Sequence, residues 1–369
     1  MNWYHLTRTD DIASPALLVS PEHVIGNIRA AIKIAGTAQR LRPHVKTHKM
    51  RAVTDLLLTE GIRQFKCATL SEARMLAEAA PTNPLPDESP VDVLLAYPLV
   101  GPAVTQLARL RTEFPAVHFS CLIDADAPAH RLSDAFADAP LDVYIDLNVG
   151  MNRTGINPAN ALMLYANCQL LPGIRVVGLH AYDGHVRDTD LTIRGQRAGE
   201  TFALANGVRT VIADGGGPIL PLVMGGTPSF SMHARQPSVL LSPGTFVFWD
   251  AGYADMVPDL PFAIATVLLT RVISVIDEQR LCLDLGHKSV AAENPLPRVI
   301  FPDHPDARPI GQSEEHLVVR VADASQHQPG DVWYGVPIHI CPTVNLYDSA
   351  VVITNNEPTD TWAVTARGH

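Results

Sequence analysis

The 369-residue chain has no apolar run long enough to span a membrane. Its first residues, MNWYHLTRTDD, lack the basic start and apolar stretch of a secretory signal. Cysteine is scarce: Cys67, Cys121, Cys168, Cys282 and Cys341 are widely spaced, and no CxxC pair occurs. An odd number at such spacing argues against a disulfide framework and predicts reduced thiols in a cytoplasmic protein. Basic charge is also short, with 28 Lys and Arg against 38 Asp and Glu and a net charge of −10. A chain this acidic is a poor partner for nucleic acid through bulk charge. No internal repeat or low-complexity tract stands out. What remains is a globular chain of enzyme size, long enough for about two domains.

Eight short apolar runs mark the first two thirds: PALLVS (15–20), LRPHVK (41–46), QFKCAT (64–69), VDVLLAY (91–97), VHFSCLI (117–123), DVYIDLN (142–148), VVGLHAY (176–182) and PLVMGG (221–226). Most are rich in Val, Ile and Leu, the pattern of strands buried on both faces. Segments with apolar residues at helical spacing lie between them, among them SEARMLAEAA (71–80) and GPAVTQLARLRTEF (101–114). Eight strands alternating with helices predict a TIM-like parallel (β/α)8 barrel over residues 15–249. PTNPLPDESP (81–90) reads as a surface loop. From 250 to 369 the segments turn β in character, with a proline-rich loop at 294–310. They predict a second, mostly antiparallel β-domain that recruits residues 1–14 as an extra strand.

RPHVKTHK (42–49) crowds His44, Lys46, His48 and Lys49 together. In a parallel barrel, chemistry sits where strands end, and LRPHVK ends at Lys46. A lysine that captures an aldehyde must lose its proton, and cationic neighbours or burial favour that loss. The same residues also read as a polar loop with incidental histidines. RPHVKTHK closely resembles the cofactor-lysine motif of the D-threonine aldolase and D-serine dehydratase group, pyridoxal-phosphate enzymes of the alanine-racemase-like, fold-type III class. Further motifs in that group's order extend the resemblance over nearly the whole chain. It implies that Lys46 is the Schiff-base lysine.

Pyridoxal 5′-phosphate needs a phosphate site, which backbone N–H groups of glycine turns supply. MGGTPSF offers Gly225, Gly226 and Thr227, and SPGTFVFWD offers Gly244 and Thr245. DGGGP (214–218) is a rival cluster, read as a helix-ending loop. DLNVGMNRTGI (146–156) presents Arg153 after a strand, where a cation suits the phenolate oxygen of the cofactor ring. GLHAYDGH (178–185) gathers His180, Tyr182 and His185 at another strand end. Tyr182 is a candidate neighbour of the ring and, with Lys46 and His185, a candidate catalytic residue; His185 is a candidate base or holder of a metal-bound water. Thr69 reads either as a pocket hydroxyl or as a helix cap.

PIHICPTVNLYD (337–348) sets His339 and Cys341 two residues apart, on one face if the segment is a strand. Imidazole with thiolate suits zinc, although a buried structural cysteine is the competing reading. The resemblance implies a divalent metal, zinc or manganese, on this pair. An HxC pair resembles the dehydratases of the group more than its aldolases, tilting the expectation toward dehydration. SEEH (313–316) adds Glu315 or His316 as neighbours of the same mouth. Leu240 and Leu241 replace a glutamate that the group often carries, which bears on substrate identity. The resulting expectation is a lyase for D-3-hydroxy amino acids, acting as a homodimer. The rival is a metal-independent amino-acid racemase with Tyr253 as its second base.

Overall fold

The computed structural model describes residues 2–81 and 89–368, so most of the loop expected at 81–90 lies outside the described residues. The strands of the first part are β1 (Ala16–Val19), β2 (Gln64–Cys67), β3 (Asp92–Pro98), β4 (His118–Ile123), β5 (Leu141–Leu147), β6 (Ile174–Ala181), β7 (Leu222–Met224) and β8 (Val239–Leu241). Those that follow are β9 (Thr266–Asp277), β10 (Arg280–Leu283), β11 (Val299–Ile300), β12 (Arg308–Gln312), β13 (Leu317–Arg320), β14 (Val332–Pro337), β15 (Ser349–Thr354) and β16 (Glu357–Ala363). The chain divides into two compact units. One comprises Ala31–Lys46 and Thr54–Gly244; the other comprises Met1–Ala30, Thr47–Val53 and Thr245–Gly368.

In the first unit, β2 to β8 form a parallel sheet in simple sequence order. Each crossover carries a helix, such as Leu70–Ala79 between β2 and β3 and Leu191–Asp214 between β6 and β7. The edge strands do not stay open. Residues 41–44 run between them, with parallel bridges from Leu41 to Leu241 and from His44 to Lys66. The N–H of Arg42 donates to Leu241 O at 2.8 Å and that of His44 to Pro243 O at 2.9 Å. On the other side, Lys66 N–H donates to Pro43 O at 2.9 Å. This segment is the eighth stave, and it closes the (β/α)8 ring.

Two staves differ from the expectation. PALLVS is not one of them: β1 pairs antiparallel with β9 and parallel with β15, in the other unit. Its place is taken by β8, three residues that the run-based reading passed over. An apolar run reports burial on both faces, and β1 is fully buried, but burial does not say which sheet buries it.

Leu94 of β3, Leu122 of β4, Tyr144 of β5 and Val223 of β7 meet in one apolar cluster, with Val177 of β6 and Leu240 of β8 against it. Side chains from strands so far apart in sheet order meet only on the inside of a closed sheet. Gly178 makes room for Tyr144: a Cβ there would lie 2.3 Å from the ring. Thr69 caps helix Leu70–Ala79, accepting from Glu72 N–H, while Glu72 accepts from Ala68 N–H at 2.6 Å. The Thr69 hydroxyl thus serves as a helix cap.

In the second unit the sheet order is β12-β13-β10-β9-β1-β15-β16, with β14 pairing to β9 and β11. Residues 2–14 join this unit through turns rather than as the expected strand; Tyr4 and Ile12 enter its core beside Leu18, Val267 and Tyr334. Arg271 holds the turns by donating to the carbonyls of Thr9 and Ile12.

The amino ends of the ring strands carry an ionic chain. Arg42 pairs with Asp92 at 2.8 Å, His118 bridges Asp92 (3.3 Å) and Asp142 (2.8 Å), and Arg175 meets Asp142 at 2.8 Å. The bonds from Asp142 and then Asp92, working against burial, push the His118 imidazole up to about 9. A raised histidine stabilises fully below its ordinary value near 6.5, and that gain fades as pH climbs to about 9. The His118→Gln protein is therefore expected to melt several degrees below wild type at pH 6, with the gap closing by pH 9.5. Thermal unfolding at the two pH values checks it; an equal gap at both contradicts the assignment.

Candidate active site

Lys46 lies at the carboxyl end of the eighth stave, in the short turn Val45–Thr47, and is exposed. Its N–H donates to His44 Nδ1 at 3.2 Å. The rest of the cationic cluster behaves differently. Burial drives the His48 imidazole down to about 3, so that ring is neutral. Lys49, at φ 53°, is buried and donates to Ala366 O at 3.2 Å. Residues 42–50 are therefore no basic surface patch.

The loop after β5 is a tight fold-back. Asn148 Oδ1 accepts from the N–H groups of Gly150 and Asn152, both at 3.1 Å. Gly150 (φ 123°) and Gly155 (φ 98°) take left-handed conformations that a side chain would strain. This fold-back presents Arg153, exposed, with its guanidinium 5.1 Å from the Tyr182 ring centroid. A second cation lies over the same ring: Lys66 Nζ of β2, at 5.6 Å. Lys66 is buried and reaches His180 Nε2 at 3.5 Å. His180 Nδ1 in turn meets Asp146 Oδ1 at 2.7 Å, and Thr154 donates to the other Asp146 oxygen. Burial, then the charge of Lys46, pulls the Lys66 ammonium down to about 7. Burial also lowers His180, against the pull of Asp146. A carboxylate on Nδ1 fixes the neutral tautomer with Nε2 as acceptor toward Lys66.

The glycine turns follow β7 and β8. Gly225 (φ 84°) donates to Ala181 O at 3.1 Å, and Gly226 N–H donates to Ser229 Oγ at 3.2 Å. The two turns are tied together, because Gly244 N–H donates to Thr227 Oγ1 at 3.2 Å. Beneath them Asp183, fully buried, accepts from Ser229 (2.7 Å) and meets His233 (2.6 Å). Burial acts to raise this carboxyl, but those partners hold it below its ordinary range. A Cβ on Gly226 would lie 3.0 Å from the Tyr182 ring, so only glycine leaves the turn open there. Ser242 Oγ, between β8 and Gly244, is buried without a hydrogen-bond partner. The N–H groups of Gly225, Gly226 and Gly244 are bonded within the turns, which leaves the unpartnered Ser242 hydroxyl and the three cations Lys46, Lys66 and Arg153 as the groups that fit an anionic aromatic cofactor such as pyridoxal phosphate. His185 is exposed and packs over Gly150, where a Cβ would lie 2.7 Å from Nε2. DGGGP is a helix end: helix Leu191–Asp214 is capped by Gly215.

In the second unit, His339 and Cys341 are not in a strand. β14 stops at Pro337, His339 caps the helix Ile340–Val344, and Cys341 lies in its first turn. Pro342 lacks the N–H that a ladder needs, but a first helical turn does not require one. The two side chains still meet. Burial acts to lower His339, but the Cys341 contact and Glu293 outweigh it and push it up to about 9. Glu293 Oε1 lies 2.6 Å from His339 Nδ1 and fixes the orientation of the ring. Cys341 Sγ lies 3.1 Å from Thr47 Oγ1 and 3.4 Å from Thr245 Oγ1, so the Thr245 hydroxyl faces sulfur. Asp250, pushed up to about 6 by burial, accepts from Ile340 N–H and Tyr253 N–H and pins the helix start. Tyr253 stacks on Trp249. Among the described residues no three His, Cys, Asp or Glu side chains form a ready metal cluster. The pair fits an ion that takes its remaining ligands from solvent or substrate. Glu315 pairs instead with Lys288 at 3.4 Å. Cys341 alone of the five free cysteines is not buried; burial pushes Cys121 up to about 12 and Cys168 to about 11.

Lys66, Asp146, Asp183 and Ser242 were not singled out from the sequence. The signal for Lys66 was present: a lysine inside the apolar run QFKC must be buried if that run is a ring stave.

Residues 19–251 match the family model described as alanine racemase, N-terminal domain, and residues 265–353 match a putative serine dehydratase domain. The chain is 30% identical to the D-threonine aldolase of an Arthrobacter species, over 98% of this chain and 94% of that one. A D-threonine aldolase structure from Filomicrobium marinum superposes with a TM-score of 0.87 at 28% identity, covering 97% and 96%. The D-threo-3-hydroxyaspartate dehydratase of Delftia sp. HT23 shares the fold, with a TM-score of 0.82 at 20% identity and coverage of 97% and 98%. Among the described residues no helix is long and apolar enough to cross a membrane.

Replacing Asp183 by Ala leaves His233 and Ser229 without their buried partner. The expected loss is about 3 kcal/mol of unfolding free energy, the scale for a broken buried pair, read from urea denaturation. A variant as stable as wild type would remove Asp183 from the support of the glycine turns.

Proposed function

This chain belongs to the alanine racemase N-terminal-domain family, and from that membership we propose that it is a pyridoxal-phosphate-dependent lyase acting on D-3-hydroxy amino acids. The observation that carries the reading is the convergence, at the carboxyl end of one parallel ring, of Lys46, Arg153, Tyr182 and the tied turns at 225–227 and 244. When bound, the cofactor supplies an electron sink for the pair left on the substrate's α carbon. Lys46, exposed, holds the cofactor's aldehyde carbon. Arg153 balances the charge of the ring oxygen. The tied turns of Gly225, Gly226, Thr227 and Gly244, with Thr245 next in sequence, would shape the rim of a phosphate cradle, with the Ser242 hydroxyl as its uncommitted donor. His339 and Cys341 would hold a divalent ion, which supplies Lewis acidity toward an oxygen ligand.

Two outcomes follow from which proton moves. If His185 takes the 3-hydroxyl proton, the Cα–Cβ bond breaks, an aldehyde leaves, and Lys46 returns a proton to Cα to give glycine. If Lys46 takes the α-proton, hydroxide leaves Cβ, and the product hydrolyses to a 2-oxo acid and ammonia. The full-length relatives named as aldolases favour carbon–carbon cleavage. The His339–Cys341 pair favours the dehydration expected from the sequence.

Adding pyridoxal phosphate is expected to turn the protein yellow, with borohydride fixing the cofactor to Lys46 by peptide mass spectrometry. Modification elsewhere ends the reading. With D-threonine and zinc or manganese, the expected products are glycine and acetaldehyde; ammonia with a 2-oxo acid would instead establish dehydration. Cys341→Ala is expected to keep the colour and lower kcat at least ~10-fold, and unchanged turnover would take the metal pair out of the reaction.

A further inference from the structure

Lys66 is a buried ammonium with too few partners. It has three N–H donors. Its acceptor, His180 Nε2 at 3.5 Å, is at the long limit of a hydrogen bond, and the Tyr182 face offers one weaker contact. Asp146 and Asp183 act on it only through longer-range charge, offset by Lys46 and Arg153. A structural lysine in a core reaches a carboxylate or carbonyl, and a snorkelling one reaches water. Lys66, 2% exposed, does neither. Yet its surroundings are rigid: Thr154 and His180 both bind Asp146, which sets the imidazole that sets Lys66. Such care around an unsatisfied cation points to an anion that arrives from outside. Lys46 and Arg153, exposed neighbours in the same unit, mark the side from which it comes.

We propose that Lys66 is a cofactor-binding residue, the buried counter-cation for the anionic ring system of pyridoxal phosphate, aimed by His180 and Asp146. This rests on the cofactor reading above. The ring is planar, and its phenolate oxygen carries negative charge. Arg153 alone, exposed and screened by water, is a weak partner for that oxygen, whereas a buried ammonium is a strong one.

The probe is 4-deoxypyridoxine 5′-phosphate, which lacks the aldehyde and so reports non-covalent binding without a link to Lys46. Its dissociation constant is expected to rise at least ~10-fold in Lys66→Met, the scale of one lost charged hydrogen bond. In Lys66→Arg it is expected to stay within about threefold of wild type, since the charge remains. Borohydride should still fix pyridoxal phosphate to Lys46 in Lys66→Met. Equal affinity of the Met and wild-type proteins overturns the inference while leaving the proposed function intact. If wild type binds neither compound, the proposed function falls and the inference with it. Should Lys66→Met fail to fold by circular dichroism, wild type serves. Acetic anhydride labelling of Lys66 should slow severalfold with the analogue while exposed Lys33 is unaffected, and an unchanged Lys66 rate overturns the inference.

Discussion

Closure of the ring by residues 41–44 is the constraint on which the candidate site depends. Three backbone hydrogen bonds and two bridges stitch this segment between β8 and β2. Without them the parallel sheet would end in two open edges, each a row of unpaired donors and acceptors. Lys46 is the end of that seam. Its position is thus set by backbone pairing rather than by side-chain packing, and the lysine stays exposed while its base is fixed. Pro43 fits the seam because its carbonyl accepts from Lys66, while its missing N–H is not asked to donate.

The two ends of the ring handle charge in opposite ways. At the amino end, Arg42, Asp92, His118, Asp142 and Arg175 alternate in sign and bond one another. At the carboxyl end, Lys46, Lys66 and Arg153 gather with few anions in reach, in a protein whose net charge is −10. The first arrangement is self-sufficient and serves stability. The second is incomplete by itself, as the proposed cofactor site requires.

Much of this was legible in the residues, because short polar motifs at the ends of apolar runs announce strand ends. Lys46, Arg153 and the turns at 225–227 and 244 all read that way. β1 misled because ALLV is equally apolar in a ring or in an antiparallel sheet. β8 escaped notice because three residues carry almost no periodicity. The His339–Cys341 segment looked like a strand because PIHIC has β-like composition, and only Pro337 and Pro342 hinted at the break. Ser242 was invisible for another reason: whether a buried polar atom is satisfied depends on partners far away in sequence.

The placement of β1 has a consequence for how the chain is made. This strand lies between β9 and β15 in its sheet, so it leaves the ribosome early and waits for two neighbours, the first beginning at Thr266 and the second at Ser349. The ring can close once β8 has emerged, about a hundred residues before the second of these. Synthesis therefore passes through a period in which a finished ring coexists with an apolar strand not yet fully paired, and it is during this interval that the nascent protein most needs protection from aggregation.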